Sequence, residues 1–350
     1  MRILTFNLWH GLSPSSPVAF EALEPEGRRQ LRQDMQIQLL RELQPDICFF
    51  QEVNPVASRA AEFGDTLHMD TVSQPDLVGL KLFGVGLPLN LNSGLLTMAK
   101  HSHGLRKVAG VSLSRPGSHL VHSWGSWQLK EERFALFAET MLPNWGRVLV
   151  VNTHLHHGLE ATPEFLAELE KLASEMELSE SVVLEIKRRL DAGMERRARE
   201  VNVLIENLHK YEGRYEVVLI GGDFNASPEG GFGEALKSLG FRDCWGEKHP
   251  GSAGGGCSFD KTANPANHML QAGFPLTLVV EDLSFSLRVK EALLTLARKQ
   301  ESRPRRIDYV WMRADSLDLK IKEVQLVGKP DAEGLAPSDH FGVCADIERV

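Results

Sequence analysis

Only four cysteines occur in 350 residues, Cys48, Cys244, Cys257 and Cys344, too few and too scattered to staple a scaffold. No CxxC pair and no Cys/His cluster with zinc spacing is present. Cys48 in ICFF and Cys344 in GVCADI sit in apolar, strand-like runs, the usual setting of a buried free thiol. No apolar run approaches ~18 residues, so no membrane-spanning segment is expected. The opening MRILTFNLWHG lacks the basic start, long apolar stretch and small-residue cleavage site of a signal peptide, and a cytoplasmic location is the resulting expectation. Positive charge is short as well. Against 47 Asp and Glu stand 39 Lys and Arg, a formal charge of −8, the opposite of a protein that grips nucleic acid through a broad basic surface. There is no internal repeat, and the single low-complexity tract is GSAGGG at 251–256.

What is present is an ordinary folded chain: hydrophobic residues make up 42% and charged residues 25%, which excludes wholesale disorder. The length is roughly two domains' worth of chain, though layered α/β enzymes often use that much as one. Short β-branched runs recur at Arg2–Asn7, Ile47–Glu52, Gly94–Ala99, Phe134–Thr140, Arg147–His154, Glu216–Asp223, Arg306–Trp311, Leu319–Val327 and Gly342–Ile347. Unbroken apolar centres predict strands covered on both faces. Between the first two runs, Leu31, Met35, Leu39 and Leu43 form an i, i+4 stripe over Gly27–Leu43, a helix that stops at Gln44-Pro45. The stretch 162–212 is charge-rich and nearly free of glycine, with Pro163 in a first-turn position and a break at Leu178-Ser179-Glu180. It reads as a solvated helical hairpin, or as a lid, because it directly follows His154. A loop-rich excursion spans 251–305 and contains an apolar helix-like run, Ser286–Lys299.

The chemistry collects where the strands end. Asn7 closes the first run, Gln51-Glu52 the second, Asn152-Thr153-His154 closes RVLVV, and Gly222-Asp223-Phe224-Asn225 closes EVVLI. Asp308 lies in RIDYVW, and Ser338-Asp339-His340 precedes the last strand. Side chains at such ends emerge at the rim of a sheet, where α/β proteins bind ligands. Each residue also has a plainer role. Asp223 and Asn225 suit turns, and Asp308 could pair with Arg306 or Arg313. Six ends that each deliver a metal-compatible or acid–base group are the stronger pattern. Oxygen donors without thiolates favour a hard ion, Mg²⁺ or Mn²⁺, with Glu52 and Asp339 as its carboxylates and a phosphate ester as substrate.

In this order FNLWHG, QEV, NTHL, GGDFN, RIDYV and PSDHFGV resemble the motif series of the endonuclease/exonuclease/phosphatase superfamily, from Asn7 to His340. That resemblance implies a four-layer α/β sandwich of two mixed β-sheets flanked by helices, in one catalytic domain over 1–350 with insertions at about 162–212 and 251–305. It implies metal-dependent hydrolysis of a phosphodiester. Glu52 would be the principal metal ligand, joined by Asp339 and by Asn7 beside the ion. Asp223 would orient and deprotonate the attacking water, and Asn225 and His154 would donate to the phosphate. His340, its tautomer fixed by Asp308, would stabilise the phosphorane or move a proton. Arg133 or Lys130 would reach a phosphate oxygen, and Asn264 and Asn267 would face the substrate.

FNLWHG and the segment His122–Trp127 (HSWGSW) look most like the neutral sphingomyelinase branch, so the first expectation is a small or lipid-like phosphodiester. Trp124 and Trp127 could cover a choline-type cation, stack on a base, or simply be core aromatics, the plainer role for at least one of them. A nuclease or DNA-repair phosphodiesterase of the same fold is the second reading, and a catalytically silent binding scaffold the third. A basic run, Arg303–Arg306 (RPRR), suits an anionic substrate of either kind, and no protein partner is expected.

Overall fold

Runs such as ICFF and VLVV have no polar face to offer water, and the packing accounts for it. The computed structural model describes residues 1–16, 19–22, 24–77, 80–82, 85–87, 92–114, 119–121, 125–128, 132–228, 231–251, 255–265 and 286–350. Within these, side chains are not described for 12–16, 19–22, 77, 80–82, 85–87, 119–121, 125–128 and 301.

The first part of the chain holds strands β1 (Arg2–Asn7), β2 (Leu12–Ser16), β3 (Ala19–Ala22), β4 (Ile47–Val53), β5 (Met69–Leu77), β6 (Leu80–Leu82), β7 (Val85–Leu87), β8 (Ser93–Lys100) and β9 (Leu105–Ser112). Next come β10 (His119–Val121), β11 (Gly125–Gln128), β12 (Phe134–Leu142), β13 (Gly146–His154) and β14 (Val217–Asp223). The last are β15 (Arg242–Asp243), β16 (Asp308–Ala314), β17 (Leu319–Val327) and β18 (Gly342–Arg349). The helices are α1 (Glu26–Leu43), α2 (Val56–Leu67), α3 (Pro163–Glu175), α4 (Glu180–His209), α5 (Phe232–Ser238), α6 (Cys244–Lys248) and α7 (Leu287–Glu301).

Two six-stranded mixed sheets result, ordered β17-β18-β1-β4-β8-β5 and β15-β16-β14-β13-β12-β9. Each has one parallel pair near its centre, β1 with β4 and β13 with β14. The sheets stack face to face. Ile3, Ile47 and Phe49 of the first meet Val148, Val150, Leu219 and Val310 of the second in one core. Alternate residues turn outward. Leu4, Cys48 and Phe50 pack under Leu40 of α1 and Phe63 of α2, while Leu149, Val151, Val218 and Ile220 pack under α4 and α5. Both faces of each central strand are therefore dry. Fully burying each such side chain is worth about 1.5–3 kcal/mol before chain entropy is set against it.

Three expectations need adjusting. Helix α1 starts at Glu26, one residue before the expected Gly27, and ends at Leu43 as expected, with Gln44 left-handed after it, but its buried face is Arg32, Gln36 and Leu40, while Leu31 is 51% exposed. The charge-rich stretch does split, into α3 and α4, and the hydroxyl of Thr162 caps α3 by accepting from Phe165 N at 3.2 Å. It is not wholly solvated. Val201, Leu204 and Leu208 in the second half of α4 form an outer layer of the sandwich, whereas Phe165, Leu169, Ile186 and Leu190 make a satellite cluster with Leu293 and Leu296 of α7. The strands β5 and β9 were not foreseen. All four cysteines are free, three of them buried. Among the described residues no helix is long and apolar enough to cross a membrane.

Candidate active site

Sheet register sets the first three residues of the site side by side. Across β13, β14 and β16, His154 lies opposite Asp223 and Asp223 opposite Asp308. Two glycines make the close approach possible. A Cβ on Gly221 would sit 2.1 Å from the ring of Phe49 in the facing sheet, and one on Gly222 would sit 2.2 Å from the Thr153 carbonyl oxygen. In the other sheet Asn7 lies opposite Gln51. Glu52 follows at a bulge in β4, where the register slips between Phe50 and Val53, with φ at 54°. A left-handed φ costs a non-glycine residue about 1–2 kcal/mol, and bulges of this kind re-aim a side chain.

The side chains form one connected network. Asn7 Nδ2 donates to Glu52 Oε1 at 3.0 Å and to Asp223 Oδ2 at 3.1 Å, joining the two sheets. Its orientation is fixed, because Trp9 N can only donate and does so to Asn7 Oδ1 at 3.0 Å. Asp223 Oδ1 accepts from Asn225 N at 2.9 Å. Asp223 Oδ2 faces the centre, 3.6 Å from His154 Nε2 and 3.9 Å from His340 Nε2. His340 Nδ1 lies 2.8 Å from Asp308 Oδ2. Beneath the site Gln51 Nε2 donates to Asn152 Oδ1 at 2.7 Å, and Asn152 Nδ2 donates to the Phe50 and Leu96 carbonyls, a polar bolt between the sheets.

Arg133 decides the state of His154. Its Nη1 lies 2.8 Å from His154 Nδ1 and its Nη2 3.0 Å from His157 Nδ1. A guanidinium has donors only, so Nδ1 must accept and the His154 proton resides on Nε2, which faces Glu52 Oε1 at 3.9 Å and Asp223 Oδ2. Burial, reinforced by the Arg133 charge, holds the His154 pKa well below the ordinary imidazole value, so the ring is neutral. His340 is the opposite case. Burial disfavours its charge, but Asp308, Asp339 and Asp223 raise its pKa to about 10. Burial and the neighbouring Asp308 raise Asp223 to about 7, despite His340 and the Asn7 hydrogen bond. For Glu52 burial also acts upward, but His10, His154 and Asn7 outweigh it and leave the carboxyl below its ordinary range.

Struts hold these groups from behind. Ser258 Oγ accepts from Ile307 N and Asp308 N at 3.2 and 3.0 Å. Ser338 Oγ is 2.6 Å from the Asn7 carbonyl and 3.2 Å from Asp339 Oδ1. Asn264, fully buried, donates from Nδ2 to Ser338 O at 2.6 Å. From α1, Gln36 donates to the Leu8 and Pro337 carbonyls, and Arg32, bonded to the buried Glu24, donates to the Leu8 carbonyl. The polar buried face of α1 thus grips the loops that carry Asn7 and Asp339.

Asn7, Glu52, His154, Asp223, Asp308 and His340 come together as the strand ends suggested, with Asp339 attached through Ser338. Asp308 pairs with His340; Arg306 and Arg313 pair instead with Asp243 and Asp315. Arg133 is buried at 2% exposure against two imidazoles, and Asn264 is a strut, so neither presents itself to substrate in the way expected. Asn225 gives an N–H to the Leu155 carbonyl. Lys130, Asn267 and Trp124 lie outside the described residues, as does the side chain of Trp127. His10, to which the sequence assigned no role, reaches Glu52 Oε2 at 3.4 Å and lines a shallow cleft with Trp9, Gln33, Glu52 and Arg59.

The donor set fits a hard divalent cation. Glu52, Asp223, Asp308 and Asp339 bring four carboxyl groups against one imidazolium, and Asp308 Oδ1 is buried with no hydrogen-bond partner among the described residues. Ligand atoms of Asp223, Asp308 and His340 lie within 4.8 Å of one another. His340 Nδ1 is already bonded to Asp308, however, and an imidazolium has no lone pair, so Glu52, with 19% of its side chain exposed, is the better-placed ligand.

A family model described as "Endonuclease/Exonuclease/phosphatase family" matches residues 4–340. Solved structures align over almost the whole chain. D. rerio TDP2 complexed with single strand DNA product is 12% identical, with 99% of this chain and 98% of that one covered, at a TM-score of 0.53. The mannosyl-6-phosphatase of Bacteroides thetaiotaomicron is 14% identical, with 99% of each chain covered, at 0.55. The human Nocturnin catalytic domain with bound sulfate anion is 15% identical, with 100% and 93% covered, at 0.54. At these identities the likeness is one of fold. No curated protein matches the chain.

Proposed function

The chain belongs to the endonuclease/exonuclease/phosphatase family, whose members are hydrolases of phosphoester bonds, and from that premise we propose a divalent-metal-dependent phosphodiesterase. The observation that carries this reading is the polar network in which Asn7 ties Glu52 to Asp223 while His154 and His340 both turn Nε2 toward Asp223 Oδ2.

Mg²⁺ or Mn²⁺ would be held by Glu52 with Asp339, and Asn7 would orient the Glu52 carboxylate from its amide. Such an ion, when bound, supplies positive charge opposite the phosphoryl oxygens. The chain's own groups do the rest. Asp223, with a pKa near 7, accepts a proton from the attacking water. The water oxygen bonds to phosphorus as the bond to the leaving oxygen breaks and its electron pair departs with that oxygen. His154, neutral and protonated on Nε2, donates to a non-bridging oxygen. His340, its Nδ1–H directed to Asp308, presents a charged Nε2–H to the developing phosphorane or to the leaving oxygen. Arg133 is a positioning residue that fixes the His154 tautomer.

The sphingomyelinase-like expectation leaned on the segment His122–Trp127, of which 122–124 lie outside the described residues. Around His340 the described wall is aromatic and cationic, through Phe259 and Arg305, and this favours a more anionic phosphodiester over a zwitterionic lipid.

Hydrolysis of bis-p-nitrophenyl phosphate by the purified protein tests the proposal. Turnover with Mg²⁺, lost in EDTA and restored by excess Mg²⁺, is expected. An undiminished rate in EDTA, or no turnover with either metal, would overturn it.

A further inference from the structure

The run Arg303–Arg306 takes no part in the chemistry above, and its three arginines differ in one respect. Arg303 Nη2 lies 3.4 Å from Glu168 and Arg306 Nη1 lies 2.7 Å from Asp243. Arg305 makes no ion pair among the described residues, and its Nε is buried with no hydrogen-bond partner. A buried, charged donor left in that state is costly unless an acceptor arrives.

Its position is well defined. Arg305 N donates to Phe259 O at 2.9 Å, and Phe259 N donates back to Arg305 O at 3.0 Å. The same Phe259 forms a bridge with His340, and the following segment is tied in by Phe341 N donating to Ser258 O at 2.6 Å. The guanidinium lies over the Phe259 ring at 5.0 Å, and that ring meets the His340 imidazole at 5.0 Å with its plane turned by 65°. One aromatic ring therefore separates Arg305 from the imidazolium of the site. A second guanidinium, Arg197 on α4, feels the carboxylates of Glu160 and Glu200 most among the charges around it and also feels Arg305 as a like charge. Arg197 is 5% exposed and its Nη1 makes only long contacts, 3.5 and 3.4 Å, to the His156 and Gly158 carbonyls, in the loop that follows His154. Two guanidiniums near enough to repel each other, one of them with no carboxylate partner among the described residues, form a receptor for an anion.

We propose that Arg305, backed by Arg197, is a subsite for a second anionic group of the substrate, a phosphate flanking the ester that is cleaved. This rests on the phosphodiesterase reading and narrows it to substrates carrying two phosphates. Two sources share that chemistry: the adjoining link of a nucleic-acid strand, and a phosphomonoester carried by a small phosphodiester, whose hydrolysis product is a bisphosphate. A purely structural cation–π contact on Phe259 would leave the preference for phosphate number unchanged.

Equilibrium titration in Mg²⁺ tests the subsite without relying on turnover. One arm compares thymidine 3′,5′-bisphosphate with thymidine 5′-monophosphate, and the other compares fructose 1,6-bisphosphate with fructose 6-phosphate. The wild-type protein should bind the doubly phosphorylated member about tenfold or more tightly in one arm, which names the source. Arg305→Gln should erase that preference, and Arg305→Lys should keep part of it. No preference in either arm, or a preference that survives in Arg305→Gln, overturns the proposal. If Arg305→Gln does not fold, the wild-type comparison and Arg305→Lys still decide. Failure of the parent reading looks different: the wild-type protein would then leave bis-p-nitrophenyl phosphate intact, whatever the titrations show.

Discussion

At His340 burial and charge pull in opposite directions, and the nearby carboxylates win. The consequence is a stability that depends on pH in the metal-free protein. The folded pKa near 10 lies above the ordinary imidazole value of about 6.5, so the ion pair stabilises fully below about pH 6.5 and its contribution is lost as pH rises toward 10. Urea midpoints measured in EDTA should therefore fall over that window in the wild type and fall less in His340→Gln. Parallel pH profiles would remove the charged His340 from the account. Asp223 acts in the same direction at lower pH, since its carboxyl, raised to about 7, loses stabilisation between about pH 4 and 7. Asp223→Asn keeps the volume of the buried site but cannot take a proton, and its NH2 replaces one of the two oxygens that accept from Asn7 Nδ2 and Asn225 N. Its turnover of bis-p-nitrophenyl phosphate should drop by about 10²–10⁴-fold while circular dichroism still reports the wild-type fold. The identity of these residues was legible in the sequence because each closes an apolar strand. Their partners were not. Residue types alone left Asp308 open to Arg306 or Arg313, and only the family resemblance paired it with His340; nothing said that Arg133 ends on His154 instead of a phosphate.

Elements bring the residues to one rim, and here the decisive contacts are between layers. Gly221 faces Phe49 across the two sheets, so Gly221→Ala forces the layers apart just below Asp223. Overpacking of this kind costs about 1–3 kcal/mol, and the substitution should lower the urea midpoint accordingly. An unchanged midpoint would mean that the sheets do not close at this point. The central strands were readable because both of their faces are buried. The edge strands β5 and β9 were not, since an edge is protected by polar residues and proline, here Pro75, Arg106 and Lys107, which blur the apolar pattern. Helix α1 shows a different limit. Its apolar stripe fixes its length correctly but not its face, because Arg32 and Gln36 are buried to hold loop carbonyls, and Leu31 is left in solvent.

For the whole molecule, residues 4–340 answer to one family and two six-stranded sheets form one sandwich. Ordered motifs carried that far because the fold requires strand-end groups from both sheets, and no single motif could have done so. The net charge of −8 coexists with a local group of arginines at 303–306, a reminder that the global balance says little about one rim. The central claim is that side chains from Asn7 to His340 seat one divalent cation against a phosphoryl group. Anomalous diffraction from a crystal grown with Mn²⁺ and inorganic phosphate tests it most directly. The principal peak should lie on the Glu52 carboxylate, with the phosphate between it and the Nε2 atoms of His154 and His340. A principal peak away from Glu52, or phosphate bound elsewhere, would contradict it.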